Sequence, residues 1–326
     1  MLRNFMLFNR RIESIVFLER KTFTIDFRRP AFAHEWIEYG ETTADEVVPR
    51  LHEATIAICN KLPLREPALS QLLNLKLIAV AATGVDNIDL ASCRTRGIAV
   101  CNTRGYAAGS LPEHALMLML VLRRNLLAYQ KDVLQGRWQE AKQYCLLDHP
   151  IGDLQGTTLG IVGYGTLGQS LARLAGSIGM NVLVAERKNA NNVREGRRSF
   201  GDVLRLSEVL SLHCPLTEET RNLIGAPEIQ QMKPGAILIN TARGGLVDAT
   251  ALLQALTKNE IGGAGVDVLN TEPPRKGNVL LEVHLPNLIV TPHIAWASRQ
   301  AMETLGSQLI DNLEAFVRGE PRNLVT

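Results

Sequence analysis

The chain has 326 residues, of which 46% are hydrophobic and 21% charged, the proportions of an ordinary globular protein long enough to bury two cores. Its net charge of +2 offers no basic excess of the kind that nucleic acid or an anionic membrane recruits, so neither partner is expected. No apolar stretch reaches the length of a bilayer span, since the longest candidate, Ala115 to Leu122, runs into Arg123 and Arg124.

Residues Met1 to Arg11 are interrupted by charge too often for a secretory signal and read as a loosely held extension. From Ile12 onward short apolar runs alternate with amphipathic segments. Ile15 to Leu18 reads as a strand. Thr43 to His52 reads as a helix, with Thr43 as cap and Glu46 three residues on. Thr55 to Cys59 is a second strand, Pro67 to Leu73 is helical, Leu77 to Ala81 is a third strand, Asp89 to Arg94 a short helix, and Ile98 to Cys101 a fourth strand. Such alternation predicts a parallel sheet with helices on its faces, so the first hundred or so residues make a small α/β domain. The longest helical pattern covers residues 110–130, and its apolar residues span more than one face, which suits core or subunit packing.

A second α/β unit follows the loop 135–155. It opens on Thr158 to Val162, an apolar run of the kind a buried parallel strand needs, and then on Gly163-Tyr164-Gly165-Thr166-Leu167-Gly168. This is the G-x-G-x-x-G spacing of a dinucleotide turn: tight turn, close approach of backbone to pyrophosphate, and close packing of the following helix. That helix aims its first amides at the phosphates. Glu186 closes the next strand, about 20 residues on, where a carboxylate accepts hydrogen bonds from an adenosine ribose and repels a 2′-phosphate. NAD is therefore the expected coenzyme. Arg187 and Lys188 follow directly and leave some tolerance of NADP open, although a solvated strand end also accounts for them. Further strands are expected at Val209 to Cys214, Ala236 to Asn240, Gly263 to Val268 and Leu288 to Thr291. Asp248 caps a helix through Leu256, and Ser298 to Val317 forms a closing helix that returns to the first domain.

Open α/β sheets bind their ligands in loops after the strands, and four such loops carry reactive residues. Gly84 and Val85 offer backbone amides to a carboxylate, or simply form a turn before Asp89. Arg243, beside Gly244 and Gly245, presents a planar fork suited to a carboxylate and its α-oxygen. Asp267 ends a strand and Glu272 precedes Pro273 and Pro274; His293 follows the last strand. Histidine exchanges protons near neutrality, and an adjacent carboxylate favours its protonated form. His213 reads as a strand residue beside a coenzyme loop. The five cysteines are odd in number and lack metal-ligand spacing; Cys59, Cys101 and Cys214 end apolar runs, which points to buried thiols in a reducing, cytoplasmic setting. No metal site is expected.

The fingerprint, the run Met232 to Asp248, Thr271-Glu272-Pro273-Pro274 and Pro292-His293 together resemble the NAD-dependent D-2-hydroxyacid dehydrogenases from about Ile12 to Phe316. Within that family the runs Asn181 to Lys188, Leu212 to Leu216 and Ala295-Trp296 most resemble the bacterial glycerate dehydrogenases, or hydroxypyruvate reductases. The resemblance implies two doubly wound parallel-sheet domains. One is an inserted Rossmann NAD-binding domain over residues 108–289. The other is a discontinuous flavodoxin-like substrate domain of residues 1–107 and 290–326, with the active site in the cleft.

It further implies Arg243 as substrate clamp, Glu272 as partner of the histidine and His293 as acid/base. Gly84, Val85 and Trp296 join Arg243 around the substrate, where the Trp296 ring narrows the pocket. Coenzyme contacts fall on residues 163–168, Glu186, Arg187, Cys214, Pro215, Thr220, Thr241, Ala242, Arg243, Asp267 and His293. A homodimer built through the helix near 110–130 is implied as well. The expected reaction joins D-glycerate and hydroxypyruvate, with glyoxylate as a side substrate. Another 2-oxo acid such as pyruvate is the alternative within that class. A non-enzymatic NAD-sensing protein is the alternative outside it, opposed by the intact Arg243, Glu272 and His293 set.

Overall fold

A computed structural model describes residues 12–326, so the extension read from residues 1–11 lies outside the described residues. The chain divides into two compact units, one running up to Tyr106 and resuming at Arg299–Thr326, the other formed by Ala107–Ser298.

In the first unit the apolar runs become strands β1 (Glu13–Phe17), β3 (Ile56–Cys59), β4 (Leu77–Val80) and β5 (Ala99–Asn102). Strands β3 and β4 are buried at every residue, which a sheet covered on both faces demands of its inner strands. A fifth strand, β2 (His34–Glu38), is absent from the sequence reading. It pairs only with β1, so as an edge strand it keeps a polar, mostly exposed composition. The order β2-β1-β3-β4-β5, all parallel, is the flavodoxin-like order.

Helices α1 (Val47–Leu51), α2 (Glu66–Leu69) and α3 (Leu90–Thr95) link these strands. The Thr43 and Glu46 capping box forms, but the helix it starts opens with a 3-10 turn, and the helix expected over 67–73 stops at Leu69. Asp89 caps α3 by accepting from the Ser92 amide at 3.0 Å.

The second unit opens with α4 (Ser110–Arg123), α5 (Leu126–Leu134) and α6 (Arg137–Glu140). The single helix expected over 110–130 is thus broken. Asn125 sits in the left-handed region at φ 49°, and its side-chain amide donates to the Pro150 carbonyl at 2.6 Å. Asparagine tolerates that conformation, so the chain can turn there without glycine.

Then follow β6 (Thr158–Val162), α7 (Thr166–Ser177), β7 (Asn181–Val184), α8 (Phe200–Leu206), β8 (Val209–Leu212), α9 (Ala226–Ile229), β9 (Ile237–Asn240), α10 (Ala249–Thr257), β10 (Gly263–Val266) and β11 (Leu288–Val290). The sheet order is β11-β10-β9-β8-β6-β7, again wholly parallel. Outside β7, Ala185 and Arg198 form one further parallel bridge. That bridge occupies the place of the third strand in the dinucleotide-binding order 3-2-1-4-5-6, so the fold is that order with its third strand reduced to a single pairing and β11 added as a seventh position beside β10. The order reverses between β6 and β8, which makes the C-terminal ends of these two strands the ligand crevice.

The closing helix α11 (Arg299–Val317) returns to the first unit. There Leu305, Leu309 and Leu313 are fully buried, and the buried Asn312 donates to the Asn102 carbonyl at 2.9 Å. The chain after α11 follows, with the Val325 amide bonded to the Val100 carbonyl. The crossing back falls between Ser298 and Arg299, so β11 and the loop that carries His293 belong to the second unit.

Candidate active site

The glycine turn is built for a backbone to come close. Gly163 has φ +96°, and a Cβ there would lie 2.5 Å from the Cys214 amide nitrogen. At Gly168 a Cβ would lie 2.2 Å from the Gly163 carbonyl oxygen, so helix α7 packs on the turn only if this position is bare. Gly165 faces open space and caps α7 without a side-chain hydrogen bond, which leaves the first amides of the helix to a ligand. Tyr164, Thr166 and Leu167 complete the rim, and Tyr164 is partly exposed. The residues present therefore fit a pyrophosphate.

The opposite wall is the end of β8. His213 donates its backbone amide to the Val162 carbonyl and pairs its ring Nε2 with Ser211 Oγ at 2.9 Å. Burial pulls the imidazole down to about 4, so it stays neutral near pH 7 and serves structure rather than proton transfer. Cys214, expected buried, is half-buried because it fronts the glycine turn, and burial still pushes its thiol up to about 11. Thr220 closes the next loop, with its hydroxyl donating to the Pro215 carbonyl at 2.8 Å.

At the adenosine end, Glu186 is only 4% exposed. Its oxygens accept from the Arg194 guanidinium at 2.5 and 2.7 Å and from the backbone amides of Arg187 and Arg194. The bidentate hydrogen bond from Arg194, then the Arg187 amide, hold this carboxyl well below the usual range. Lys188 turns to Glu228 at 2.9 Å. Arg194 has no sequence signal: it lies in a loop without periodicity, eight residues past its partner.

Past β9, Asn240 clamps the Thr241-Ala242-Arg243 loop from inside. It receives the Ala242 amide at 3.1 Å and donates to the Arg243 carbonyl at 2.9 Å. A Cβ at Gly244 would overlap the Leu269 carbonyl, so the backbone after Arg243 packs directly on the loop that follows β10. The Thr241 hydroxyl is buried without a hydrogen-bond partner among the described residues, an unusual state for a group that readily finds one.

The last constellation joins four expected residues, Glu272, His293, Trp296 and Asp267. Glu272 Oε2 meets His293 Nδ1 at 2.5 Å, and its Oε1 accepts the Leu269 amide at 2.7 Å, so the carboxylate is fixed on both sides. His293 lies in the left-handed region at φ 57°, held by its amide on the Asp267 carbonyl at 2.8 Å and by its own carbonyl accepting the Trp296 indole N–H at 3.1 Å. A strained backbone at such a place persists only because its surroundings impose it.

Asp267, 1% exposed, imposes it. Its Oδ1 accepts from the Ile294 amide at 2.9 Å and the Thr291 hydroxyl at 2.5 Å, and its Oδ2 accepts from the Ala295 amide at 2.9 Å. Behind it stands His114 of α4, 3.0 Å from Thr291 Oγ1 and 3.6 Å from Asp267 Oδ1. The Thr291 proton is committed to Asp267, so His114 carries its proton on Nε2. Burial lowers the pKa of His114, with Asp267 opposing. The sequence reading missed Thr291 and His114 as part of this network.

In the first unit, Gly84 and Val85 lie in the loop after β4, and neither backbone amide donates to another group among the described residues.

A family model for the D-isomer specific 2-hydroxyacid dehydrogenase NAD binding domain matches residues 116–295. The chain is 50% identical over 314 residues to a glycerate dehydrogenase of Methylorubrum extorquens, covering 96% of this chain and 99% of the relative. The chain belongs to the D-isomer specific 2-hydroxyacid dehydrogenase family. The dehydrogenase is also 34% identical to a hydroxypyruvate reductase of Blautia hydrogenotrophica, over 89% of this chain and 92% of that one. Among solved structures it is similar to a D-lactate dehydrogenase from Aquifex aeolicus complexed with NAD and lactic acid, at 27% identity and a TM-score of 0.79 over 95% of this chain and 98% of that one. The dehydrogenase uses NAD to interconvert a 2-hydroxy acid and its 2-oxo acid. Among the described residues, no helix is long and apolar enough to cross a membrane.

Proposed function

We propose that the substrate pair is D-glycerate and hydroxypyruvate, with glyoxylate reduced as a side reaction. The observation that carries the chemistry is the 2.5 Å contact between His293 Nδ1 and Glu272. With Nδ1 facing the carboxylate, the proton that is exchanged sits on Nε2. The similarity to the glycerate dehydrogenase over nearly its whole length supports the choice of acid.

In the direction of reduction, Arg243 and the amides of Gly84 and Val85 bind the substrate carboxylate, and Arg243 also polarises the 2-oxo oxygen. NADH, when bound on the glycine turn, would supply the hydride that the carbonyl carbon accepts. His293 gives the Nε2 proton to the oxygen as negative charge develops there, and Glu272 steadies the imidazolium and its orientation. The products are the 2-hydroxy acid and the oxidised coenzyme, and oxidation runs the same transfers backwards. Trp296 shapes the pocket beside His293. The glycine turn, Cys214, Pro215, Thr220, Thr241 and Ala242 hold the coenzyme. Asp267 supports it through the loop that bears His293.

The assay follows NADH consumption with hydroxypyruvate, glyoxylate, pyruvate and 2-oxoglutarate side by side, for the wild type and His293→Asn. The expected result is fastest turnover of hydroxypyruvate, reduced about 10²- to 10⁴-fold by the substitution while NADH still binds. Turnover confined to another 2-oxo acid refutes the glycerate assignment and keeps the acid/base. Turnover unchanged in His293→Asn refutes the acid/base.

A homodimer is part of the proposal. Leu126, Leu127, Leu134, Trp138, Tyr144 and Leu147 are each between 40% and 91% exposed along α5, α6 and the loop beyond, an apolar surface that a second copy would cover. Sedimentation at the mass of one 35.9 kDa chain would rule it out. A cytoplasmic site of action agrees with the five free cysteines and is tested by cell fractionation.

A further inference from the structure

We propose that Arg194 masks Glu186 and thereby opens the adenosine end of the site to the 2′-phosphorylated coenzyme, NADPH, alongside NADH. A carboxylate at the end of the second strand selects NAD because its free lone pairs take the ribose hydroxyls and its charge repels a 2′-phosphate. Neither condition holds for Glu186. A carboxylate accepts about four hydrogen bonds. Glu186 Oε1 already takes the Arg187 amide at 2.8 Å and Arg194 Nη2 at 2.5 Å, and Oε2 takes Arg194 Nε at 2.7 Å and the Arg194 amide at 3.2 Å. The ribose diol therefore gains this carboxylate only by displacing a bidentate guanidinium.

The same pairing cancels the charge that would reject a phosphate. Arg194 engages through Nε and Nη2 while its side chain stays 55% exposed, so the rest of the fork remains on the solvent side. The surroundings add positive charge: residues 186–198 hold five cations against two carboxylates. Lys188 is neutralised by Glu228 at 2.9 Å, and Arg197 lies 4.0 Å from Glu186. A cavity of about 260 Å³ lies beside the pair, lined in part by Glu186, Arg187, Asn189 and Ser199.

The fold puts Arg194 there. The connection after Glu186 is a loop over 187–197 where the dinucleotide order usually has a longer crossover, and its ends are pinned by the Glu186 amide on the Arg198 carbonyl at 2.8 Å and the Arg198 amide on the Val184 carbonyl at 2.9 Å. Turns at Asn189 (φ 62°) and Gly196 (φ 74°) fold this loop back over the carboxylate.

The test is equilibrium titration of NADH and NADPH by their fluorescence, with no 2-oxo acid present, so its outcome is independent of the substrate assignment. The wild type should bind the two coenzymes with Kd values within about tenfold of each other. Arg194→Gln frees Glu186 and removes the cation, and should move the Kd ratio toward NADH by ~10- to ~150-fold, the worth of one hydrogen bond to a charged group. Arg194→Lys keeps the charge but not the bidentate grip on Glu186, and its Kd ratio should fall between those of the wild type and Arg194→Gln. Competition in the wild type provides a measurement without substitution: 2′,5′-ADP should displace NADH at a lower concentration than 5′-AMP. An unchanged Kd ratio in Arg194→Gln, or 2′,5′-ADP binding more weakly than 5′-AMP, overturns the proposal.

Discussion

Asp267→Asn tests whether one buried carboxylate sets the position of His293. In the wild type Oδ1 serves the Thr291 hydroxyl and the Ile294 amide, and Oδ2 alone serves the Ala295 amide. Asparagine keeps one acceptor oxygen and turns the other into a donor. With the oxygen retained at the Oδ1 position, the new NH₂ faces the Ala295 N–H in a place that is 1–2% exposed. Leaving one buried donor unsatisfied costs about 1–3 kcal/mol, and the bonds to Thr291 and Ile294 lose their charge assistance besides.

The three hydrogen bonds to the Asp267 side chain are the ones that fix residues 291, 294 and 295 around His293 at φ 57°, so their loss falls on local opening of this loop. Hydrogen exchange of the Ile294 and Ala295 amides is the direct assay: protection should fall by ~5- to ~150-fold, which is 1–3 kcal/mol expressed as a ratio. Turnover should fall in parallel, since acid/base transfer depends on where the ring sits. Wild-type protection at both amides in Asp267→Asn would refute the reasoning, whatever the activity.

Gly168→Ala places a methyl group 2.2 Å from the Gly163 carbonyl and forces α7 away from the turn. NADH affinity should drop by ~5- to ~150-fold on an overpacking cost of about 1–3 kcal/mol, measured by the same fluorescence titration. His213 affects acid stability. Its folded pKa, near 4, lies below the ordinary value of 6.5, so the unfolded chain binds the proton first and stability is lost as pH falls from about 6.5 to about 4. The loss approaches about 3 kcal/mol at the lower limit. His213→Gln should flatten that part of the urea-denaturation profile against pH, and a slope equal to the wild type's would remove His213 as its source.

Much of this was open to reading in one dimension because its causes are local. A buried parallel strand must be apolar at every position, and β3, β4, β8 and β9 are therefore plain in the sequence. The glycine turn is legible for the same reason, since a missing Cβ at Gly163 and Gly168 is a requirement of backbone geometry alone. Caps at Thr43, Asp89 and Asp248 act within four residues and were equally visible. Strand β2 was hidden because an edge strand lacks the apolar run. Helix α8 had a signal that went unread, with Ser199 accepting the Asp202 amide three residues on.

What tertiary structure alone decided is the partnership of groups that no local periodicity links, whether 153 residues apart like His114 and Asp267 or eight apart across an irregular loop like Glu186 and Arg194. Asp267 and His114 looked unrelated until α4 packed beneath the loop after β11, and the acceptors of Glu186 looked free until the loop 187–197 folded Arg194 over them. Residue identity determines which chemistry a side chain offers. Whether its lone pairs and protons remain available is determined by neighbours that arrive only on folding, which is why Glu186 reads as a ribose acceptor in the sequence and stands as half of an ion pair in the fold.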